Sequence, residues 1–177
     1  MTRPPVDPKI EVRGAVVLAV VDVMGAFRSV ALEILRKDGI LEPKPFAWYN
    51  LKHWLSSFDT IVKDVGPNTL HQIGRQVAGT APIPPQISSL QQAFAELDNA
   101  YYSVHRGGDI GHYHYISTDK RAGTMISTTV YPTDFDRGIL TALAQRFEPD
   151  SLVDIQLDPG SETRLDGGES CTFLIRW

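Results

Sequence analysis

Apolar positions keep a helical period through the first two-thirds of this chain and alternate near its end. Trp48, Leu51, Leu55, Phe58 and Val62 are spaced three, four, three and four apart, which puts them on one face of a helix over about 46–65. The run 11–37 also reads as a helix, because it is too long for one strand. Its valines (Val12, Val16, Val17, Val20, Val21, Val23) favour strands, and Gly25 suggests a break. A third helix carries Leu70, Ile73 and Val77, with Gly66 ending the one before it and Pro67 suited to its first turn. Pro82, Pro84 and Pro85 make 81–85 a loop. Ser89 and Gln92 have capping-box spacing, ahead of a helix to about His105 that buries Leu90, Phe94, Leu97, Tyr101 and Val104.

Past Gly107-Gly108 the period shortens. Residues 112–118 and 124–131 read as a hairpin, and 133–147 as an amphipathic helix with Phe135, Ile139, Leu143 and Phe147 on one side. Val153, Ile155 and Leu157 alternate in one further strand, and Cys171, Phe173, Ile175 and Trp177 in the last. The fold class is therefore α+β: N-terminal helices packed on a C-terminal antiparallel sheet of about four strands, with one helix between the two hairpins. Nothing marks a linker or a repeat, so 10–177 reads as a single domain. Residues 1–9, with Pro4, Pro5 and Pro8, read as a flexible N-terminal arm.

Composition narrows the class of function. In 177 residues, 42% are apolar and 21% charged, as in a soluble globular domain with one core. A net charge of −4 with no Lys/Arg-rich run gives no support for a nucleic-acid partner. The apolar stretch 15–27 contains Asp22 and is too short to span a bilayer, so no membrane partner is expected. Cys171 is the single cysteine, which excludes an internal disulfide and suits a reducing compartment; the cytoplasm is the expected location.

The order of several short motifs resembles the 4-vinyl-reductase-like domains, relatives of the heme–nitric-oxide-binding and TRAPP fold group. These motifs are Trp48-Tyr49-Asn50-Leu51, Asn99-Ala100-Tyr101, His105-Arg106-Gly107-Gly108-Asp109-Ile110-Gly111, Tyr131-Pro132-Thr133-Asp134-Phe135 and the terminal strand through Cys171 and Trp177. The resemblance implies helices against a twisted antiparallel sheet, a homodimer and a pocket between the layers. Domains of this family carry thiols where this chain has Thr133 and Thr163, so a multi-thiolate metal site is not implied.

Candidate chemistry is sparse. No dinucleotide fingerprint, nucleophile–base order or paired-carboxylate motif stands in a fitting context, so the chain reads as non-enzymatic. His112 and His114, two apart on a strand, are the candidate metal pair; the plain reading is two imidazoles on a solvated face. His71 is a candidate heme ligand, and His105 reads as a cation at a helix C-terminus. Thr133 and Asp136 read as helix caps, and Arg137 as a surface ion-pair partner or a carboxylate clamp. The pocket candidates are Trp48, Phe58, Phe94, Tyr101, Tyr131, Phe135, Arg137 and Phe173, since large rings on inward faces either fill a core or frame a void.

The function expected is a small-molecule sensor or carrier with an apolar, aromatic pocket between helices and sheet, relaying its signal through a dimer or an unidentified protein partner. No cofactor is expected on this reading. One alternative is an interaction scaffold with a filled core; the other is a heme-binding gas sensor.

Overall fold

A computed structural model describes residues 6–66 and 68–177. The expectations for Pro4, Pro5 and Pro67 fall outside those residues.

The architecture is the expected α+β arrangement, with an additional small sheet. The first strand, β1 (Glu11–Arg13), runs into α1 (Gly14–Met24), a 3-10 turn and α2 (Arg28–Lys37). The predicted long helix thus opens as a strand and breaks at Gly25, whose φ of 45° suits glycine. By length and composition 14–37 passes for a membrane span, yet Val17, Val20 and Val21 turn into the core. Next come β2 (Trp48–Asn50) and α3 (Leu51–Asp64). The helix predicted from 46 starts later because Asn50 caps it, its side chain accepting from the amides of Lys52 and His53.

After α4 (Asn68–Thr80) the predicted single helix is two, α5 (Leu90–Ala95) and α6 (Leu97–Ser103). Ser89 caps α5 as expected, whereas Gln92 turns to Ser88 rather than closing the box on Ser89. Residues His105–Arg106 form β3, not a helix end. Strands β2, β1 and β3 pair antiparallel into the small sheet.

The main sheet has the order β4-β5-β7-β6, all antiparallel, from β4 (Tyr113–Asp119), β5 (Ala122–Ser127), β6 (Asp154–Leu157) and β7 (Cys171–Arg176). Helix α7 (Thr133–Phe147) connects the two hairpins. Alternation along β7 sends Cys171, Phe173 and Ile175 inward, each at most 1% exposed.

Helix α7 is buried on more than one face: Phe135, Ile139 and Leu143, and also Asp136, Leu140 and Ala144. It meets α4 backbone to backbone. A Cβ on Gly138 would lie 2.1 Å from the His71 carbonyl oxygen, and one on Gly74 2.1 Å from that of Phe135. Only glycine permits this approach, and it fixes how far α4 can stand from the sheet.

Candidate functional site: a cavity between helices and sheet

The interlayer is filled on one side and open on the other. On the filled side, Trp54 meets Phe58 edge-on at 4.5 Å, Phe58 packs on Phe135 at 5.3 Å, and Phe135 stacks on Tyr131 at 4.6 Å. Beyond Tyr131 lies a cavity of about 250 Å³. Its wall is built from small residues of four helices: Ala15 of α1, Ala78 of α4, Ala93 of α5 and Ala100 of α6. Rings of Tyr101, Tyr113, Tyr131 and Phe135 face them. The outer wall is the proline-rich connection 81–87, where Arg146 donates to the carbonyls of Ala78 and Ala81 at 2.8 and 2.7 Å. Those bonds cap the end of α4 and hold the wall in place.

At the inner end sits His105, 7% exposed. Its Nδ1 lies 2.8 Å from the Tyr101 carbonyl oxygen and its Nε2 2.8 Å from the Tyr131 hydroxyl. A carbonyl only accepts, so Nδ1 carries the proton and Nε2 accepts from Tyr131. Burial drives the imidazole pKa down to about 4, so the ring is neutral at pH 7. Burial likewise pushes the hydroxyls of Tyr101 and Tyr131 above their usual value. The Tyr101 hydroxyl donates to the carbonyl of Ile110 at 2.9 Å.

Behind the cavity lies a buried charge pair. Asp136, fully buried, accepts from Tyr113 Oη at 2.5 Å, Ser127 Oγ at 2.6 Å, Thr129 Oγ1 at 3.0 Å and Arg164 Nη2 at 2.5 Å. The other terminal nitrogen of Arg164 donates to the carbonyls of Ser127 and Thr129. Asp136 is therefore not a helix cap. Nor is Thr133, whose hydroxyl contacts Cys171 Sγ at 3.1 Å; the N-cap position is Pro132, with no side-chain cap.

Among the residues singled out from sequence, Tyr101, Tyr131 and Phe135 line the cavity. Phe58 packs behind the last two. Phe94 packs on Tyr115 and Trp177, and Phe173 lies in the core against the sheet. Trp48 stands away from the cavity, on the small sheet, with the guanidinium groups of Arg13 and Arg106 over its ring at 5.0 and 4.5 Å. Arg137 is exposed and pairs with Asp134 at 2.8 Å. Exposed His112 contacts Asp98 and Tyr102, His114 is also exposed, and no group of three metal-ligating side chains occurs among the described residues. His71 lies near Thr141, its pKa lowered by burial and by Arg137 and Arg75. His105, Tyr113, Asp136 and Arg164 are the site residues that the sequence reading placed elsewhere or passed over.

No family model and no curated protein matches the chain. Solved structures do. An H-NOX protein from S. oneidensis in the Fe(II)NO ligation state superposes with a TM-score of 0.70 at 12% identity, covering 93% of this chain and 98% of that one. An Fe(II) unliganded H-NOX protein from K. algicida gives 0.64 at 14% identity, covering 93% and 95%. A protein used to study modulation of heme redox potential through protein-induced porphyrin distortion gives 0.64 at 15% identity, covering 93% and 99%. These neighbours correct the expectation of a cofactor-free domain, because one of the three is a heme protein and the other two are Fe(II) H-NOX proteins. They fall on the heme–nitric-oxide-binding side of the resemblance seen in the sequence, and the chain has the fold of the H-NOX domains.

Proposed function

We propose that the chain is a non-enzymatic, heme-binding sensor domain whose ligand site is the interlayer cavity. The observation that carries this reading is His105: a buried, neutral imidazole on the wall of an apolar cavity, its Nε2 lone pair engaged by the Tyr131 hydroxyl alone, in a fold shared with H-NOX proteins. A hydrogen bond from the other ring nitrogen to a backbone carbonyl fixes the tautomer and orients a metal-binding histidine, and Tyr101 supplies that bond here.

The donors fit a heme in kind. His105 would hold the iron, and the rings of Tyr101, Tyr113 and Phe135 would supply apolar contact to the macrocycle. Two adjustments are needed. The Tyr131 hydroxyl must release Nε2. The cavity must also widen, since about 250 Å³ is below the range of roughly 300–1,000 Å³ of ligand pockets. The connection 81–87 is the wall that would have to give, against the bonds of Ala81 to Arg146 and to the Val77 carbonyl. Among the described residues that line the cavity there is no lysine or arginine, so the lining supplies no cationic partner for a heme's carboxylates. A bound heme would supply an iron centre open to a diatomic gas; the protein's own part is to orient one imidazole, exclude water and enclose an apolar face.

The reading includes a homodimer acting in the cytoplasm and passing its signal to a partner protein. The motif order that resembles 4-vinyl-reductase-like domains suits the same role. Titration of the purified protein with hemin is the test. A Soret band saturating at one equivalent, and shifted or lost in His105→Leu, is expected. A band that grows without saturation, or one unchanged in His105→Leu, would exclude His105 as the donor.

A further inference from the structure

We propose that Tyr113 transmits occupancy of the cavity to the surface, by holding or releasing the Asp136–Arg164 pair and with it the connection between β6 and β7. The proposal rests on the reading of the cavity as a ligand site.

Tyr113 has two faces to its environment. Its ring lines the cavity, edge-on to Tyr101 at 5.3 Å. Its hydroxyl points away from the cavity, onto Asp136 at 2.5 Å. Of the four side chains that donate to Asp136, Tyr113 is the one that is also part of the cavity wall. An occupant that shifts the ring must therefore disturb the carboxylate, in a medium where a lost donor to a buried charge is expensive.

Arg164 carries the disturbance outward. It belongs to the connection 158–170 and reaches into the body, its side chain 12% exposed. Elsewhere that connection is held mostly by itself. Asp158 accepts from the Gly160 amide and the Ser161 hydroxyl, and Thr163 Oγ1 accepts from the Leu165 amide and donates to Asp166. Apart from the ladder bond between Asp158 and Thr172, the polar ties from the described part of this connection to the body run through Arg164: its guanidinium, and its amide to Cys171 Sγ at 3.4 Å. Arg164 Nε is buried without a hydrogen-bond partner, so the terminal nitrogens alone hold the guanidinium in place. Displacing Asp136 thus misaligns its bond to Nη2 and loosens one of the three guanidinium ties, beside those to the Ser127 and Thr129 carbonyls, that hold a segment carrying exposed Leu165 and the acidic Glu162, Asp166 and Glu169.

The test is hydrogen–deuterium exchange of the full chain, read on peptides covering 161–168. Three variants are compared with the parent: Tyr113→Phe, which deletes the hydroxyl; Ala93→Leu, which places side-chain volume in the cavity; and Tyr115→Phe, which deletes a hydroxyl two residues along the same strand. Tyr113→Phe and Ala93→Leu should each speed exchange there about tenfold. Peptides from α3 should stay at the parent rate, Tyr115→Phe should do nothing, and Ala93→Leu should add nothing in the Tyr113→Phe background. Parent-like exchange at 161–168 in Tyr113→Phe, or an equal rise everywhere, would overturn the relay. So would parent-like exchange at 161–168 in Ala93→Leu. A hemin arm separates the two readings: failure of hemin to give a saturable spectrum removes the heme assignment, while the variants still decide the relay.

Discussion

Two halves of one interlayer behave differently, although the same helix, α7, borders both. Under Trp54 and Phe58 large rings meet at 4.5–5.9 Å and leave no room. Beside Ala93 the facing positions are alanines, and a cavity of about 250 Å³ results. The close approach of α4 and α7 at Gly74 and Gly138 sets the depth of the layer, so a short side chain facing a ring leaves space that nothing else fills. A function that needs a void and a fold that needs a core are thereby served by different side chains on shared elements.

The contrast breaks most severely on the filled side. Phe58→Ala removes a fully buried ring that touches three others, and a loss of about 3–5 kcal/mol in urea unfolding is expected. The cavity side should reveal itself next, through pH. His105 has a pKa of about 4 when folded and the ordinary value of 6.5 when unfolded. Between those values the unfolded chain binds the extra proton. The contribution is thus complete above pH 6.5 and is lost as pH falls towards 4, by about 3 kcal/mol. His105→Gln should flatten the stability profile over that window by a similar amount. Gly138→Ala tests the spacer between the halves: its Cβ cannot fit against the His71 carbonyl, and a loss of about 1–3 kcal/mol, with a lowered melting temperature, is expected. The smallest effect belongs to Ala93→Leu, which fills existing space. Its stability should lie within about 1.5 kcal/mol of the parent, while hemin binding is abolished.

Much of the fold was legible because periodicity reports which face is buried. The two hairpins, α7 between them and the inward set Cys171, Phe173 and Ile175 follow from alternation and from three-four spacing. The small sheet was not legible, since three residues such as Glu11–Arg13 or Trp48–Asn50 carry no period and adjoin helices whose apolar face continues through them. His105 resembled a solvated helix end. The chain leaves the helix at Ser103, and β3 turns the ring inward, a change of direction that no local pattern records. Asp136 resembled a cap because Pro132 and Thr133 precede it; its partner Arg164 lies 28 residues on, and ion pairs at that separation leave no trace in spacing. One signal was available: Asp136 sits between Phe135 and the buried pair Ile139 and Leu140, so a carboxylate there had to be buried and partnered. The cavity itself was the least legible feature, because it is made by missing volume at alanines on four separate helices.

Crystals of the protein pressurised with xenon test the open half most directly, since an apolar void takes up xenon where a packed core does not. A xenon peak between Ala93 and Tyr113, lost in Ala93→Leu, is the expected result. An empty map with the Tyr131 and Tyr101 rings closed across the space would contradict the existence of a ligand site there.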